Sequence, residues 1–342
     1  MNRIFKAFLL LVTGMFVFSC NKDDNNSTKK PEPYDTQYVK DLEAIETFLK
    51  EYHMDVDPVT YEVAFEKITD ANGLTSIWDE FPLEHKMVSD EENKVDYKVY
   101  YVKFREGTNL QPSRVDSVYV SYRGEYIYKK KEEILPSTDP KTYKEYIAST
   151  QFDQSVNPIW MPLTSLVRGW SEILPLFKSG TSSYDAATGV ISYENFGAGV
   201  FFLPSGLGYY ASGSSSIPSY APLIFSIKLN HVNYIDHDFD GIDSYLEDVN
   251  GNGDFTDDDT DNDGIQNYLD RDDDGDGFLT KYERMYVNPL DPDKVKRYYP
   301  FNGAATDDPA TPYVDETQGI PDCSGDYTSS TRLRKHLDKN CH

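Results

Sequence analysis

Apolar residues follow three successive patterns along this chain, and each predicts a different kind of element. The first is an unbroken run from Ala7 to Phe18, preceded by Arg3 and Lys6 and followed by Ser19-Cys20. That is the layout of a secretory signal over residues 1–19, and the run is too short for a comfortable membrane span. Residues 20–34, containing "NKDDNNSTKKPEP", are polar and Pro-containing and read as a tether without a core. The second pattern has a helical period. Val39, Leu42, Ile45, Phe48 and Leu49 fall on one side of a helix, which opens a helical extension expected over 35–95. The third has a period of two: "DYKVYYVKF" and "RVDSVYVSYRGEYIY" alternate and are dense in Val and Tyr, and "GVFFLPSG" and "PLIFSIKLNHVNYI" read the same way. These are expected strands.

One stretch between the strands returns to helical spacing. In "SLVRGWSEILPLFKSG", residues 165–180, Val167, Trp170, Leu174 and Phe177 form one apolar side. Gly169 and Pro175 oppose this helix by about 1 and about 3 kcal/mol, so packing must outweigh propensity. Pro175 lies near the end at Lys178-Ser179-Gly180, and Gly169 lets a backbone or a ligand come close. Strands with one brief helix predict an α+β domain over 96–235, an antiparallel sheet with the helix covering one face.

Charge changes the picture beyond residue 235. The chain has a formal net charge of −25, and residues 236–283 hold sixteen Asp and two Glu against Arg271 and Lys281, a net of −16. Such a balance excludes the basic stripe of a nucleic-acid binder. Within this segment oxygen-bearing side chains recur at positions 1, 3 and 5 of a loop, with Gly at 6 and a carboxylate at 12. The first set is Asp236, Asp238, Asp240, Gly241 and Glu247; the second is Asp248, Asn250, Asn252, Gly253 and Asp259. The third is Asp259, Asp261, Asp263, Gly264 and Asp270; the fourth is Asp272, Asp274, Asp276, Gly277 and Glu283. Alternate oxygens around a tight Gly turn are the hard ligands calcium prefers, whereas a solvated acidic linker would not need the glycines in phase. The abutting sets resemble thrombospondin type-3 repeats more than paired EF-hands. Without metal, the acids repel one another with little apolar surface to fold against. The expectation is a structural calcium-binding loop ribbon, acting as a stalk.

Five motifs in order over residues 115–232 resemble the FKBP-type peptidyl-prolyl cis-trans isomerases. They are Val120-Ser121-Tyr122-Arg123-Gly124, Phe152-Asp153-Gln154-Ser155, Leu166-Val167-Arg168-Gly169-Trp170, Leu203-Pro204 with Gly208-Tyr209, and "SIPSYAPLIFSIKL". The resemblance implies a sheet wrapped on the short helix, with Trp170 as the floor of an aromatic cup under a prolyl ring. Tyr122, Phe152, Leu166, Val167, Ile217 and Phe225 would be its walls. Tyr209 would donate a hydrogen bond to the substrate carbonyl, and Asp153 would face the twisted carbonyl or orient a neighbouring tyrosine. Trp170, Tyr209 and Asp153 are thus the implied catalytic residues, with proline-containing polypeptides as clients and no cofactor for catalysis. The chain departs from the family in about 27 residues between Glu125 and Gln151, in "SSYDAATGVISYENFGAG" after the helix, in Tyr209-Tyr210, and in Asn157 at an aromatic wall position. The family also contains modules that bind proline segments and isomerise them poorly.

Val17-Phe18-Ser19-Cys20 resembles the bacterial lipobox, in which Cys20 becomes the lipidated first residue, the alternative being an ordinary signal peptide that holds a Cys. Lys22-Asp23-Asp24 resembles the surface-export signal of lipoproteins in Bacteroidetes-like bacteria. Both point to a lipid-anchored protein of the outer membrane, facing the periplasm or the surface. In that oxidising compartment Cys323 and Cys341 pair, stay as thiols, or join His336 and His342 around zinc; the paired knuckles of a zinc site are missing, so a disulfide is expected. Residues 284–342 read as a Pro-, Asp- and Thr-rich tail. The functional expectation is an envelope folding factor with isomerase activity. The rivals are a non-catalytic proline-binding or adhesion scaffold, and a protein whose calcium segment is the working part.

Overall fold

Residues Gly197–Leu203 read Gly-Ala-Gly-Val-Phe-Phe-Leu without one polar side chain, and all seven are buried. A strand reads that way when both faces of its sheet are covered. The computed structural model describes residues 30–136, 140–287, 292–303 and 318–341. It opens with α1 (Tyr34–Glu51), the hairpin β1 (Tyr52–Val56) and β2 (Val63–Lys67), α2 (Ile77–Glu80), β3 (Glu84–Asp90), β4 (Val95–Arg105), β5 (Ser117–Glu133) and β6 (Tyr143–Pro162). Then come α3 (Arg168–Ile173), the hairpin β7 (Thr181–Asp185) and β8 (Val190–Glu194), β9 (Gly197–Leu203) and β10 (Leu223–Asn233). Six of these strands form one antiparallel sheet in the order β3-β4-β9-β10-β5-β6.

Alternation along the central strands sends successive side chains into two different cores. On one face Tyr97 and Tyr101 of β4, Phe201 and Leu203 of β9, and Phe225 and Ile227 of β10 pack against Trp170, Ile173, Leu174 and Phe177 from α3 and its C-terminal turn. On the other, Tyr100, Val102, Val200, Phe202 and Ile224 meet Ile45, Phe48 and Leu49 of α1 together with Met54 and Val63 of the β1–β2 hairpin.

Several expectations from the sequence are corrected. Residues 52–95 do not form a helical extension: they form β1, β2 and β3 around the single helical turn α2, and in β1 and β2 apolar positions recur every second residue (Tyr52, Met54, Val56; Val63, Phe65) over stretches too short for a helix. The face α1 buries is Gln37, Asp41, Ile45, Phe48 and Leu49, and Val39 points to solvent. The α-helix after Val167 ends at Ile173, and Leu174–Leu176 continue as a 3₁₀ turn containing Pro175, which cannot donate to the preceding turn. Gly169 is approached by a side chain of β9, since a Cβ there would lie 2.3 Å from Leu203 Cδ1. The Glu125–Gln151 insertion is the distal part of the β5–β6 hairpin, and β6 is an edge strand whose largely solvated sequence lacks an apolar alternation.

From Tyr34 onward the described chain forms one compact unit, so the acidic segment is not a free stalk. Tyr245 packs on Tyr234 just past β10, with centroids 4.2 Å apart, and Asp254 lies 3.6 Å from Arg114. The segment after residue 283 is not a loose tail either. Following α4 (Thr280–Glu283), Arg284 donates to the Asp240 and Tyr299 carbonyls, and β11 (Met285–Val287) pairs with β12 (Lys296–Tyr298). Cys323 and Cys341 are bonded, with Cα atoms 5.4 Å apart, which removes the free-thiol and zinc alternatives; His336 is buried. The signal segment, Cys20 and residues 21–29 of the tether lie outside the described residues, as does His342.

Candidate functional site: an aromatic cleft beside an acidic ribbon

The cleft begins with a fault in strand pairing. Gly124 of β5 pairs with Asp153 of β6 but Glu125 pairs with Gln151, which leaves Phe152 as an extra, unpaired residue. Such a bulge breaks the alternation of side chains, so Phe152 and Asp153, adjacent in sequence, both line one cleft of about 290 Å³. Gly124 makes room for that ring: a Cβ would sit 2.6 Å from Phe152 Cζ and displace it.

Trp170, 2% exposed, forms the base. Its ring stands edge-on to Tyr122, Phe201 and Phe225 at centroid distances of 5.5, 5.8 and 5.1 Å, the arrangement that ring quadrupoles favour. Phe152 meets Phe225 edge-on at 5.7 Å. Leu166 and Val167, in the turn before α3, close one side, and Tyr209, 38% exposed, stands on the lining from the loop after β9. The Tyr122 hydroxyl donates to Asp153 Oδ2 at 2.6 Å, and the Gln154 N–H donates to Asp153 Oδ1 at 2.8 Å. Burial first, then the bond to Asp153, hold the Tyr122 phenol protonated well above the ordinary tyrosine range. Asp153 thus holds the Tyr122 hydroxyl while lining the cleft itself.

Ile217 is the one expected wall residue that the structure does not bring to the cleft. It is 3% exposed and belongs to the core of the α3 face, in a loop where the Ser214 N–H donates to the Ile217 carbonyl. Two lining residues escaped the sequence reading. Met161 pairs with Val118 near the end of β6, and Ser165 precedes Leu166; an Ile-Trp-Met run on a solvated edge strand was the only available signal. The cleft is braced from outside. Glu172 of α3 is buried and meets Arg114 Nη2 at 2.9 Å and Lys86 Nζ at 3.1 Å. Asp41 of α1 accepts bonds from Ser205 N–H and Oγ–H at 2.8 and 2.6 Å and from Gln37 Nε2 at 2.6 Å. That bond set fixes the turn Ser205–Leu207, two residues before Tyr209.

In the acidic ribbon the four expected sets share one geometry. The Gly N–H at position 6 donates to the first Asp: Gly241 to Asp236, Gly253 to Asp248, Gly264 to Asp259 and Gly277 to Asp272, at 2.7 to 3.1 Å. The glycines have φ of +74° to +95°, a backbone region that side chains with a Cβ rarely adopt. Carboxylate oxygens converge within 4.8 Å in Asp236–Asp238–Asp240, Asp259–Asp261–Asp263 and Asp272–Asp274–Asp276. The second set forms no such carboxylate triplet among the described residues, since its third and fifth positions are Asn250 and Asn252, whose amides donate to Asp257. Of the twelfth positions, Glu247 and Glu283 are buried with neither carboxylate oxygen hydrogen-bonded, whereas Asp270 accepts from the Asp272 N–H. Burial, reinforced by neighbouring carboxylates, pushes Glu247 up to about 11 and Asp238 and Glu283 up to about 8. Asp273, outside the sequence sets, is pushed by the same causes up to about 9. The donor set of bare carboxylates around tight turns fits a hard divalent cation.

Residues 237–313 match a protein family described as BamM C-terminal, which crosses the boundary drawn from sequence at residue 283. The solved structure of a peptidyl-prolyl cis-trans isomerase from Pseudomonas syringae is 23% identical, covering 43% of this chain and 80% of that one with a TM-score of 0.28. FkpA from Escherichia coli is 21% identical, covering 43% and 51%, with a TM-score of 0.28. The FKBP-type peptidyl-prolyl cis-trans isomerase FkpA of Aeromonas hydrophila is 30% identical over 126 residues, 36% of this chain and 34% of the relative. The chain thus spans about a third of that relative's length, and over this span it is similar to an FKBP-type peptidyl-prolyl cis-trans isomerase.

Proposed function

We propose that this chain is a peptidyl-prolyl cis-trans isomerase acting on proline-containing polypeptides in a bacterial envelope, anchored at the outer membrane through a lipid on Cys20. The observation that carries this reading is Trp170, nearly buried yet forming the base of an open cleft walled by Tyr122, Phe152 and Phe225. Rotation about an X-Pro bond needs no nucleophile, only relief of an amide resonance barrier of about 18–20 kcal/mol. A prolyl ring seated on the indole places the imide among aromatic walls, where water no longer stabilises the planar, charge-separated amide, and the twisted form is favoured. On this reading the Tyr209 hydroxyl, on the cleft lining, donates to the substrate carbonyl, and the Tyr122–Asp153 bond holds the Tyr122 wall in place.

We read the ribbon as a calcium-binding structural element. Its support is the set of buried carboxylate oxygens without hydrogen-bond partners at Asp238, Asp240, Glu247 and Glu283, together with the carboxylate triplets Asp236–Asp238–Asp240, Asp259–Asp261–Asp263 and Asp272–Asp274–Asp276 in three loops. Bound calcium supplies positive charge to these loops, which lack enough of it in their own side chains.

The test is proline isomerisation in a short peptide, followed by exchange spectroscopy with the full chain lacking its signal segment. Acceleration is expected, with kcat/KM reduced about two- to ten-fold in Tyr209→Phe, the loss of one neutral hydrogen bond, and by more than about ten-fold in Trp170→Leu. A folded wild-type chain that binds the peptide without accelerating its exchange would shift the reading to a non-catalytic proline binder.

A further inference from the structure

Read as sequence, each acidic loop closes on its own twelfth residue, but the folded ribbon joins loops that are not neighbours. Asp240 and Glu247 of the first set converge with Asp273, which lies beside the first residue of the fourth set, 26 residues beyond Glu247. One oxygen from each carboxylate lies within 4.8 Å of the others. The three side chains are 1%, 4% and 2% exposed. Asp240 Oδ1 accepts from the Ile242 N–H, whereas Asp240 Oδ2, Asp273 Oδ1 and both Glu247 oxygens have no hydrogen-bond donor. Three buried carboxylates with unengaged oxygens this close forfeit their hydration and repel one another, and a single cation among them would engage all three. A cavity of about 130 Å³ borders Glu247 and Asp273, with room for waters to complete a coordination shell.

We propose that Asp273 is a ligand of a calcium-class divalent cation held jointly with Asp240 and Glu247, so that the ion staples the first acidic loop to the fourth. This rests on reading the ribbon as a calcium binder. An all-carboxylate donor set with space for water suits calcium, which takes six to eight oxygens in adaptable geometry, better than metals that prefer nitrogen or sulfur. The first loop leaves β10 directly, and the fourth leads through α4 to Arg284, whose guanidinium donates to the Asp240 carbonyl at 2.9 Å. The staple therefore fixes the entry of the ribbon to its exit.

The experiment is thermal unfolding of the full chain lacking its signal segment, in calcium chloride and in EGTA, with calcium affinity measured by calorimetry. Asp273→Asn is expected to lower Tm in calcium, where a ligand is lost, and to raise it in EGTA, where one of three repelling carboxylates is gone. Calcium affinity at this site falls at least about ten-fold. Glu247→Gln shows the same reversal of sign, and the double variant adds little to either single one because both groups serve one ion. A merely structural Asp273 would shift Tm in the same direction in both media, and that result, or an unchanged affinity, overturns the proposal. Should Asp273→Asn fold in neither medium, the sign pair in Glu247→Gln and the calcium response of Asp273→Glu decide instead. Loss of the staple alone appears as a wild-type chain that responds to calcium with an Asp273→Asn variant indistinguishable from it; a wild-type chain that does not respond to calcium removes the calcium reading as well.

Discussion

Between Val95 and Asn233 the central strands of the sheet bury side chains on both faces, whereas from Asp236 to Glu283 the regular elements are single turns: Ser244–Leu246, Asn267–Leu269 and α4. The sheet is held by Phe, Tyr, Trp and aliphatic side chains. In the ribbon the buried side chains are mainly Asp238, Asp240, Glu247, Asp258, Asp273, Asp274 and Glu283, with Ile242 and Phe255 as its small apolar share. Burial of apolar area stabilises the first region without help from solutes. The second combines local Asx bonds with a concentration of partly buried negative charge, which on the proposed calcium reading a bound cation offsets. On that reading one chain joins a region whose stability is internal to one whose stability depends on its surroundings, and Arg114, paired with Glu172 on α3 and with Asp254 in the ribbon, spans the two.

The largest effect expected from this contrast is on chelation. At 100 times Kd each bound ion stabilises by about 2.7 kcal/mol, so EGTA should remove several such contributions from the ribbon and none from the sheet. Hydrogen exchange should show residues 236–283 losing protection while β4, β9 and β10 keep theirs. Equal loss in both regions would show that they unfold as one unit and erase the distinction.

The converse experiment removes packing from the sheet. Phe201 is fully buried against Trp170 and Phe225, so Phe201→Ala should cost about 3–5 kcal/mol. Denaturant unfolding followed by tryptophan fluorescence should show this loss with and without calcium alike. A loss seen only in EGTA would tie the sheet to the ribbon more closely than their forces suggest.

The smallest effect concerns Asp41, the buried acid that joins α1 to the turn before Tyr209. Burial outweighs its three hydrogen bonds and raises its pKa to about 6 from the ordinary 3.8. A raised pKa means that the folded state holds the proton more tightly, so stability is fully present below about pH 4 and is lost as pH rises toward 6. The loss is about 3 kcal/mol at one unit per 1.36 kcal/mol. Asp41→Asn stays neutral, with the Gln37 amide turning its oxygen to the new donor. The urea midpoint of this variant should exceed that of the wild-type chain above pH 6 and converge with it near pH 4; a constant offset across that range would rule the titration out.

The strands that pack on both sides were legible because β4, β9 and β10 carry their apolar residues in dense or alternating runs. The cleft was legible through a resemblance: the motifs holding Tyr122, Phe152, Asp153, Trp170 and Tyr209 are similar to those of the FKBP-type isomerases, and the structure brings these five residues to one lining. β6 and the β1–β2 hairpin were not. An edge strand solvated on most of its length has no reason to alternate, and a hairpin that packs on another element's far face shows too few apolar residues to announce itself. Ile217 misled because an apolar residue beside a proline motif reads alike as wall or core.

The sequence by itself determined what depends on neighbours within about a dozen residues: helical and strand periods, the Gly turns of the acidic loops, and the pairing of Asx side chains with the N–H groups that follow them. Tertiary structure alone decided which residues separated by long stretches of chain share a space. The bulge at Phe152 turns two consecutive side chains into one cleft, α1 seals the second face of the sheet, and Asp273 meets Glu247 across the ribbon. The physical reason is that backbone hydrogen bonds and turn preferences act locally, while burial and charge repulsion depend on distance through space, which the order of residues does not record.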